Sequence, residues 1–382
     1  MECSNIPGIS LTEFGRRLNK KAVEKRIPIS GSFELTFRCN LRCTHCYCNL
    51  PMNDQDAITR ELKTEEVFYI FDQIAEAGCL WLLITGGEPL LRKDFLEIYS
   101  YAKKKGFIIT LFTNGTLVTP EIADYLVQLP PHSVEITLYG ATSETYEGIT
   151  GIPGSFNRCK RGIDLLLERK IPLSLKTMAM TLNHDELWQI EEYAEELGLK
   201  FRFDPVLNPR IDGFKTPCKF RLSPEEVVRL DLADEKRVKE WREFCEKFVG
   251  PSESDDLYTC GAGVSTFHID PYGKISACEM VRFQSYDLRC SSFKDGWYQS
   301  MPEFLTLKST GDYLCGKCEL ISLCGQCPGW AWLENGNPEA PVEYLCQIAH
   351  LRAEAFDTKA TTQKSEFNKG GKRHDSIRGN SK

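Results

Sequence analysis

The sequence predicts an α/β fold: a partial (β/α)6 barrel of parallel strands, followed by a C-terminal cysteine-rich domain. Three observations predict it. Six strand-like runs alternate with five helix-like ones, the helical runs each carry one apolar face, and the 17 cysteines gather mainly in two clusters. Six units are too few for a closed eight-stranded barrel, so the sheet is expected to be open.

The strand readings are 33–38, 80–85, 107–112, 133–139, 172–181 and 200–206, and the helical readings between them are 64–77, 95–105, 120–128, 156–169 and 185–197. In the first helix Val67, Ile70, Phe71, Ile74 and Ala75 recur at three- and four-residue steps and line one face. Thr64 stands before it as a cap and Gly78 stops it; Gly106 and Gly198 stop two later helices. Ahead of the barrel, 11–25 is one helix-like stretch. Beyond it, 208–220 is a loop with two prolines and a glycine, and 223–248 reads as one charged helix. Strand, turn and strand follow at 267–270, Pro271-Tyr272-Gly273 and 274–279. From about 357 the chain is Lys-, Ser- and Gly-rich with almost nothing apolar, and is expected to be disordered.

Composition narrows the function. A net charge of −7 does not suit a protein that grips nucleic acid by bulk electrostatics. The greasiest run, Cys79 to Ile84, is strand-sized, so no membrane span is expected. The charged first thirty residues lack the apolar stretch of a secretion signal. With an odd cysteine count and 382 residues to build a core, a disulfide framework is not expected either. Crowded thiols in a reducing compartment serve instead as metal ligands, redox pairs or nucleophiles.

Cys3, Cys79, Cys159, Cys218, Cys245 and Cys290 are scattered and read as small core hydrophobes. Cys39, Cys43 and Cys46, with Cys48 close behind, follow the first strand and therefore lie at the sheet edge where α/β proteins build their sites. Three thiolates can hold three corners of a four-iron cluster and leave the fourth iron to a non-protein ligand. Zinc would want a fourth protein ligand, for which His45 or Cys48 is at hand, although His45 sits awkwardly between two ligands.

With this CxxxCxxC loop, Gly86-Gly87-Glu88-Pro89 after the second strand and Thr113-Asn114-Gly115 closing the third, the chain resembles the radical S-adenosylmethionine (radical SAM) enzymes. The resemblance implies a [4Fe–4S] cluster on Cys39, Cys43 and Cys46 that chelates SAM and cleaves it reductively to methionine and a 5′-deoxyadenosyl radical. It further implies that Gly86, Gly87, Glu88 and Pro89 bring backbone to SAM, that His45 packs near adenine, that Asn114 belongs to the site and that Thr137 offers a ribose-binding hydroxyl. Relatives carry an arginine for the SAM carboxylate in a segment that here reads Tyr146-Glu-Gly-Ile-Thr-Gly151. Lys176 is the substitute candidate, unless it pairs with a carboxylate of the protein itself.

Cys260, Gly273, Cys278, Cys315-x2-Cys318-x5-Cys324-x2-Cys327 and Cys346 resemble the SPASM extension of peptide- and protein-modifying relatives. Only the gap between Cys324 and Cys327 departs, being one residue short. The resemblance implies one auxiliary four-iron cluster on Cys315, Cys318, Cys324 and Cys346, and another on Cys260, Cys278 and Cys327. Its fourth ligand stays open. Some relatives use an upstream cysteine where this chain has Glu253-Ser254-Asp255-Asp256; Cys245, Cys290 or a substrate thiolate are the alternatives. Taken alone, the two Cys-x2-Cys pairs would also suit zinc.

The expected organisation is an N-terminal helical extension at 1–30, a radical SAM core at 31–206, a linker and helix at 207–250, the auxiliary-cluster domain at 251–356 and a disordered tail at 357–382. The expected activity is hydrogen abstraction from a peptide or protein, giving for instance a thioether or a carbon–carbon cross-link in a ribosomal peptide. Alternatives are an anaerobic sulfatase-type maturase, oxidation of a tetrapyrrole or other small molecule, and a non-catalytic iron–sulfur carrier. Gly86 to Pro89 speak against the carrier, which needs no amino-acid-binding loop. Expected partners are the substrate, an electron donor such as flavodoxin or ferredoxin, and a separate leader-binding protein, since only about thirty residues precede the first strand. Asp204 and Glu135 are acid–base candidates by position only. Open cluster iron is oxygen-labile, which points to the cytoplasm under low oxygen.

Overall fold

The computed structural model describes residues 10–248 and 254–356; Cys3, Glu253 and the stretch 357–382 lie outside the described residues. The first helix is α1, Leu11–Glu24, capped by Ser10. The barrel then runs β1 Ser30–Glu34, α2 Thr64–Glu76, β2 Trp81–Thr85, α3 Phe95–Lys104, β3 Ile108–Thr113, α4 Pro120–Gln128, β4 Ser133–Thr137, α5 Ser143–Thr150, α6 Ser155–Glu168, β5 Leu173–Met178, α7 Leu187–Glu196 and β6 Lys200–Asp204. After it come α8 Pro224–Asp231, α9 Glu235–Phe248, β7 Thr266–Ile269, β8 Lys274–Ser276, β9 Tyr286–Asp287, α10 Pro328–Asn335 and α11 Glu343–Ala355. Six parallel strands with covering helices match the expected open barrel.

Period-two alternation sends one side chain of each strand pair to the helices and the next to the barrel interior. Phe33, Ile84, Leu111, Ile136 and Leu175 join Phe71, Ile74, Tyr99, Leu126 and Ile163 in one core cluster. Phe33 meets Phe71 edge-on with centroids 5.2 Å apart. The opposite face carries Ser32, Glu34, Phe112, Glu135, Thr137, Lys176 and Arg202, in register across the sheet.

Four local readings are corrected. Lys63, not Thr64, is the α2 cap: the Glu66 carboxylate accepts from its N–H, and the Thr64 hydroxyl donates to Asp94. The stretch 223–248 is two helices, because the Asp234 carboxylate accepts from the Arg237 N–H at 2.8 Å and starts α9 afresh. The segment around Tyr146, read only for a missing arginine, is helix α5, whose short apolar stripe gives little periodic signal. Finally, the first strand ends at Glu34, so 35–37 already belong to the exit loop and Arg38–Cys39 form a separate short strand paired with Leu50–Pro51.

The sheet order is β9-β8-β7-β1-β2-β3-β4-β5-β6. Strand β7 pairs in parallel with β1, so the late hairpin covers what would otherwise be the exposed β1 edge. The seam is sealed by charge. Glu34 is fully buried; it accepts from the Tyr47 hydroxyl at 2.9 Å and from Arg282 at 2.9 Å, and lies 3.1 Å from His268 Nε2. Burial alone would raise its pKa, but His268 and Arg282 outweigh burial and bring it down to about 2. Glu34→Ala strands Arg282 and His268 and is expected to cost about 3–5 kcal/mol in anaerobic urea unfolding. Because the folded pKa is depressed, wild type should hold this advantage above the ordinary value of 4.5 and lose it as pH falls toward 2.

Candidate active site

The exits of β1 and β2 are locked together by backbone. The Gly87 N–H donates to the Thr36 carbonyl at 2.7 Å and the Glu88 N–H to the Arg38 carbonyl at 2.9 Å. A Cβ on Gly86 would stand 2.3 Å from the Thr36 oxygen, and one on Gly87 2.3 Å from the Arg38 oxygen. Gly86 also has φ of +132°, which L side chains rarely adopt. The glycines therefore serve the approach of two loops of this chain, a demand that the sequence reading had assigned to SAM alone.

Glu88 is likewise occupied by the protein. Its carboxylate accepts from the Leu90 and Asn114 N–H groups and from the Thr113 hydroxyl, so it ties the β2 exit to the β3 exit. Burial pushes it up to about 7 against the pull of those three donors. Pro89 opens a short 3-10 turn and is buried. The Asn114 amide donates to Asn40 Oδ1 at 2.9 Å and faces Cys39 Sγ at 3.7 Å.

On this support the cysteine loop closes. The Arg42 N–H donates to the Thr150 carbonyl and the Thr44 N–H to the Ile149 carbonyl, so the end of α5 carries the loop. Arg38 clamps Glu61 through two 2.8 Å bonds, and Arg210 donates to the Cys46 carbonyl at 3.3 Å. Cys39, Cys43 and Cys46 are near enough to influence one another's ionisation. Burial pushes Cys39 up to about 12, while donation from the Cys48 thiol brings Cys46 down to about 7. Cys48 is thus a buried donor to Cys46.

His45 stacks edge-on to Tyr139 at 4.7 Å, and burial lowers it to about 4, so the ring is neutral. Its Nδ1 is buried without a hydrogen-bond partner. Tyr139 lies within electrostatic reach of all three thiols, and its hydroxyl bonds Thr137. Sequence reasoning missed Tyr139, because an aromatic at a strand end signals packing before it signals a site.

Lys176 takes the protein-carboxylate option. Its Nζ lies 3.5 Å from Glu135 and 2.7 Å from the Phe112 ring centre, while Arg202 bonds the same carboxylate at 2.6 Å. Burial brings Lys176 down to about 7 despite Glu135. Glu135 is therefore an ion-pair partner in this structure. Asp204 caps its own strand exit by accepting from the Val206 N–H, and burial raises its pKa.

The seven late cysteines form two groups. Cys315, Cys324 and Cys346 lie within electrostatic reach of one another and of Cys318, and Cys278 and Cys327 within reach of one another and of Cys260. The shortened gap does not remove Cys327 from its group: Cys327 caps α10, its sulfur accepting from the Trp330 N–H at 3.2 Å. Among the described residues no three His, Cys, Asp or Glu side chains close up as they would around a single metal ion. Cys245 packs instead in the second core cluster, and Cys290 is exposed beyond β9.

Residues 33–197 match the sequence profile of the radical SAM superfamily. The PqqA peptide cyclase of Ruegeria pomeroyi is 30% identical over 329 residues, 82% of this chain and 86% of that protein. The chain belongs to the radical SAM superfamily. As a radical SAM enzyme it uses a [4Fe–4S] cluster and SAM. The AdoMet-dependent heme synthase of Methanosarcina barkeri is 27% identical over 332 residues, 80% of this chain and 93% of that protein. In fold, the radical SAM chain is similar to Streptococcus suis SuiB bound to precursor peptide SuiA, with a TM-score of 0.67, 17% identity and coverage of 90% of this chain and 83% of that one. It is also similar to anSMEcpe with bound AdoMet, with a TM-score of 0.62, 18% identity and coverage of 88% and 100%.

Gly87→Ala should force the two exit loops apart, cost about 1–3 kcal/mol and lower the iron retained after anaerobic reconstitution. Gly311→Ala, where a Cβ meets nothing within 4 Å, is the control expected to change neither.

Proposed function

We propose that this enzyme uses SAM to abstract hydrogen from a residue of a peptide or protein, with two auxiliary [4Fe–4S] clusters in its tail. One observation supports the reading: ten thiols from two sequence clusters lie within electrostatic reach of one another in groups of three, three and four. Cys39, Cys43 and Cys46 would hold the SAM-binding cluster, and the donor set fits, since three soft ligands leave one iron for SAM. When bound, that cluster and SAM supply the 5′-deoxyadenosyl radical of the family's chemistry.

The chain's own residues orient and shield. Asn114, facing Cys39, and Cys48, donating to Cys46, would steady the ligating sulfurs. The orphan Nδ1 of neutral His45 is available to the cofactor. Gly86 to Pro89 would present backbone there while Glu88 holds their loop in place.

A second reading, oxidation of a tetrapyrrole, is favoured by the match across 93% of the heme synthase. The barrel interior favours the peptide. A substrate with several carboxylates calls for unpaired cations, whereas Lys176 and Arg202 are both engaged by Glu135, and Arg282 by Glu34. A precursor peptide bound to SuiB, PqqA peptide cyclase and mycofactocin maturases among the relatives supports the same choice. Among the described residues no helix is long and apolar enough to cross a membrane. A small electron donor such as flavodoxin or ferredoxin, a separate leader-binding protein and a cytoplasmic low-oxygen setting complete the proposal.

The test is anaerobic reconstitution with reductant, SAM and a precursor peptide encoded beside the gene. Wild type should carry about twelve irons per chain, release 5′-deoxyadenosine and lower the peptide mass by the hydrogens removed. Cys43→Ala should retain about eight irons and release none. Cys318→Ala should still cleave SAM but leave the peptide unmodified. Zinc in the tail, or turnover of a tetrapyrrole and not the peptide, contradicts the proposal.

A further inference from the structure

The chain carries 54 acidic and 47 basic side chains, yet two functional stretches hold no acid at all. The cysteine loop from Arg38 to Asn53 has two arginines and no Asp or Glu; 151–163 has two arginines, one lysine and again no acid. The fold sets these stretches side by side. The Arg42 N–H donates to the Thr150 carbonyl at 2.8 Å and the Thr44 N–H to the Ile149 carbonyl at 3.1 Å. Gly151 and Gly154, with φ of +66° and +72°, then turn the chain from α5 into α6. A Cβ on Gly151 would stand 3.4 Å from the Arg42 Cβ, and the Arg158 guanidinium donates to the Pro153 carbonyl at 3.4 Å. Arg42 and Arg158 therefore flank one turn.

The cations around that turn are not neutralised by the protein. Arg42, Arg158 and Arg161 are exposed, and Arg161 follows Arg158 one turn on along the outer face of α6. Among the described residues none of the three forms an ion pair. Other surface cations do: Arg169, just past the end of α6, meets Asp124 and Glu168, while Arg16, Arg17 and Lys20 of α1 meet Glu13 and Glu24. Glu147, the one carboxylate in the last turn of α5, is taken by the Phe156 N–H at 3.3 Å. The same face is the outer side of the loop that bears Cys39, Cys43 and Cys46. Thr44 is exposed there, and Cys43, between it and Arg42, is half-buried. An electron arriving on this face has only one loop to cross.

We propose that the face formed by Arg42, the 151–154 turn, Arg158 and Arg161 docks a small acidic one-electron carrier protein. The proposal deepens the electron-donor reading given above and rests on it. The chemistry is complementary: an acidic carrier brings carboxylates to unpaired guanidinium groups in two stretches without an acid, and such complementarity steers encounter. A guanidinium also grips a carboxylate in a rigid fork, so the same groups set the carrier's orientation. One electron then passes to the cluster on Cys39, Cys43 and Cys46. The carrier is oxidised by one electron, the cluster is reduced by one, and no bond is made or broken.

The test follows 5′-deoxyadenosine release by the fully reconstituted enzyme, driven either by flavodoxin with its reductase and NADPH or by dithionite with methyl viologen, which needs no docking. Arg158→Glu with Arg161→Glu should load the same iron and match wild type with dithionite. At low salt it should raise the KM for flavodoxin at least about tenfold, and wild type should lose that advantage as salt is added. Arg42→Gln should shift the same KM by less. Lys104→Glu with Lys200→Glu, exposed at the opposite end of the barrel, is the control expected to change nothing. If the double variant loads poorly, wild type still decides: bound flavodoxin should slow amide exchange across 151–158. An unchanged flavodoxin KM in the loaded double variant, or protection confined to another face, overturns the docking site alone. A raised KM for the precursor peptide with none for flavodoxin gives the face to the substrate and overturns it as well. Release with dithionite but not with flavodoxin or ferredoxin overturns the electron-donor reading too, and no release with any reductant overturns the proposed function.

Discussion

Burying several thiols side by side is the constraint around which this molecule is organised. A thiolate removed from water is costly, and a second one beside it is costlier, as the raised pKa values of Cys39, Cys278, Cys315 and Cys324 express. A chain that gathers thiols in groups of three and four needs a cationic centre to offset the repulsion, or it keeps them protonated. The loops that hold these cysteines are accordingly tied by backbone bonds, buried ion pairs and N–H donors to sulfur.

Two devices transmit that arrangement through the fold. Gly86 and Gly87 let the β2 exit lie against the β1 exit, and Glu88 extends the lock to β3, so three strand ends share one frame. Glu34 does the equivalent across the β1 edge, joining Tyr47 from the cysteine loop to His268 and Arg282 from the tail. The C-terminal cysteine-rich domain is thereby continuous with the barrel: β7 adds to the same sheet, and the late cysteines flank and follow it.

The barrel was legible because the longer helices show a clear three-and-four apolar step and the strands between them are short apolar runs; α4 matches its sequence reading to the residue. The cysteine groups were legible from spacing. What escaped reading depends on contacts far apart in the chain. Nothing near Glu34 announces His268, 234 residues away, or the reason for burying a carboxylate. The α5 helix has too short a stripe to register, yet its last carbonyls carry the cysteine loop. Lys176 was placed in the right strand but not with its partner, since Glu135 and Arg202 meet it only through sheet register. Glycines at 86 and 87 were read as making room for a ligand, when the nearest demand on them is backbone from the neighbouring loop.

The central claim is that the three thiol groups are three iron–sulfur centres. It is tested most directly by anomalous diffraction from anaerobic crystals, measured on either side of the iron and zinc absorption edges. The account predicts three iron peaks, one at Cys39, Cys43 and Cys46, one at Cys260, Cys278 and Cys327, and one at Cys315, Cys318, Cys324 and Cys346. A single iron peak at the first group, with zinc peaks at the other two, would contradict it.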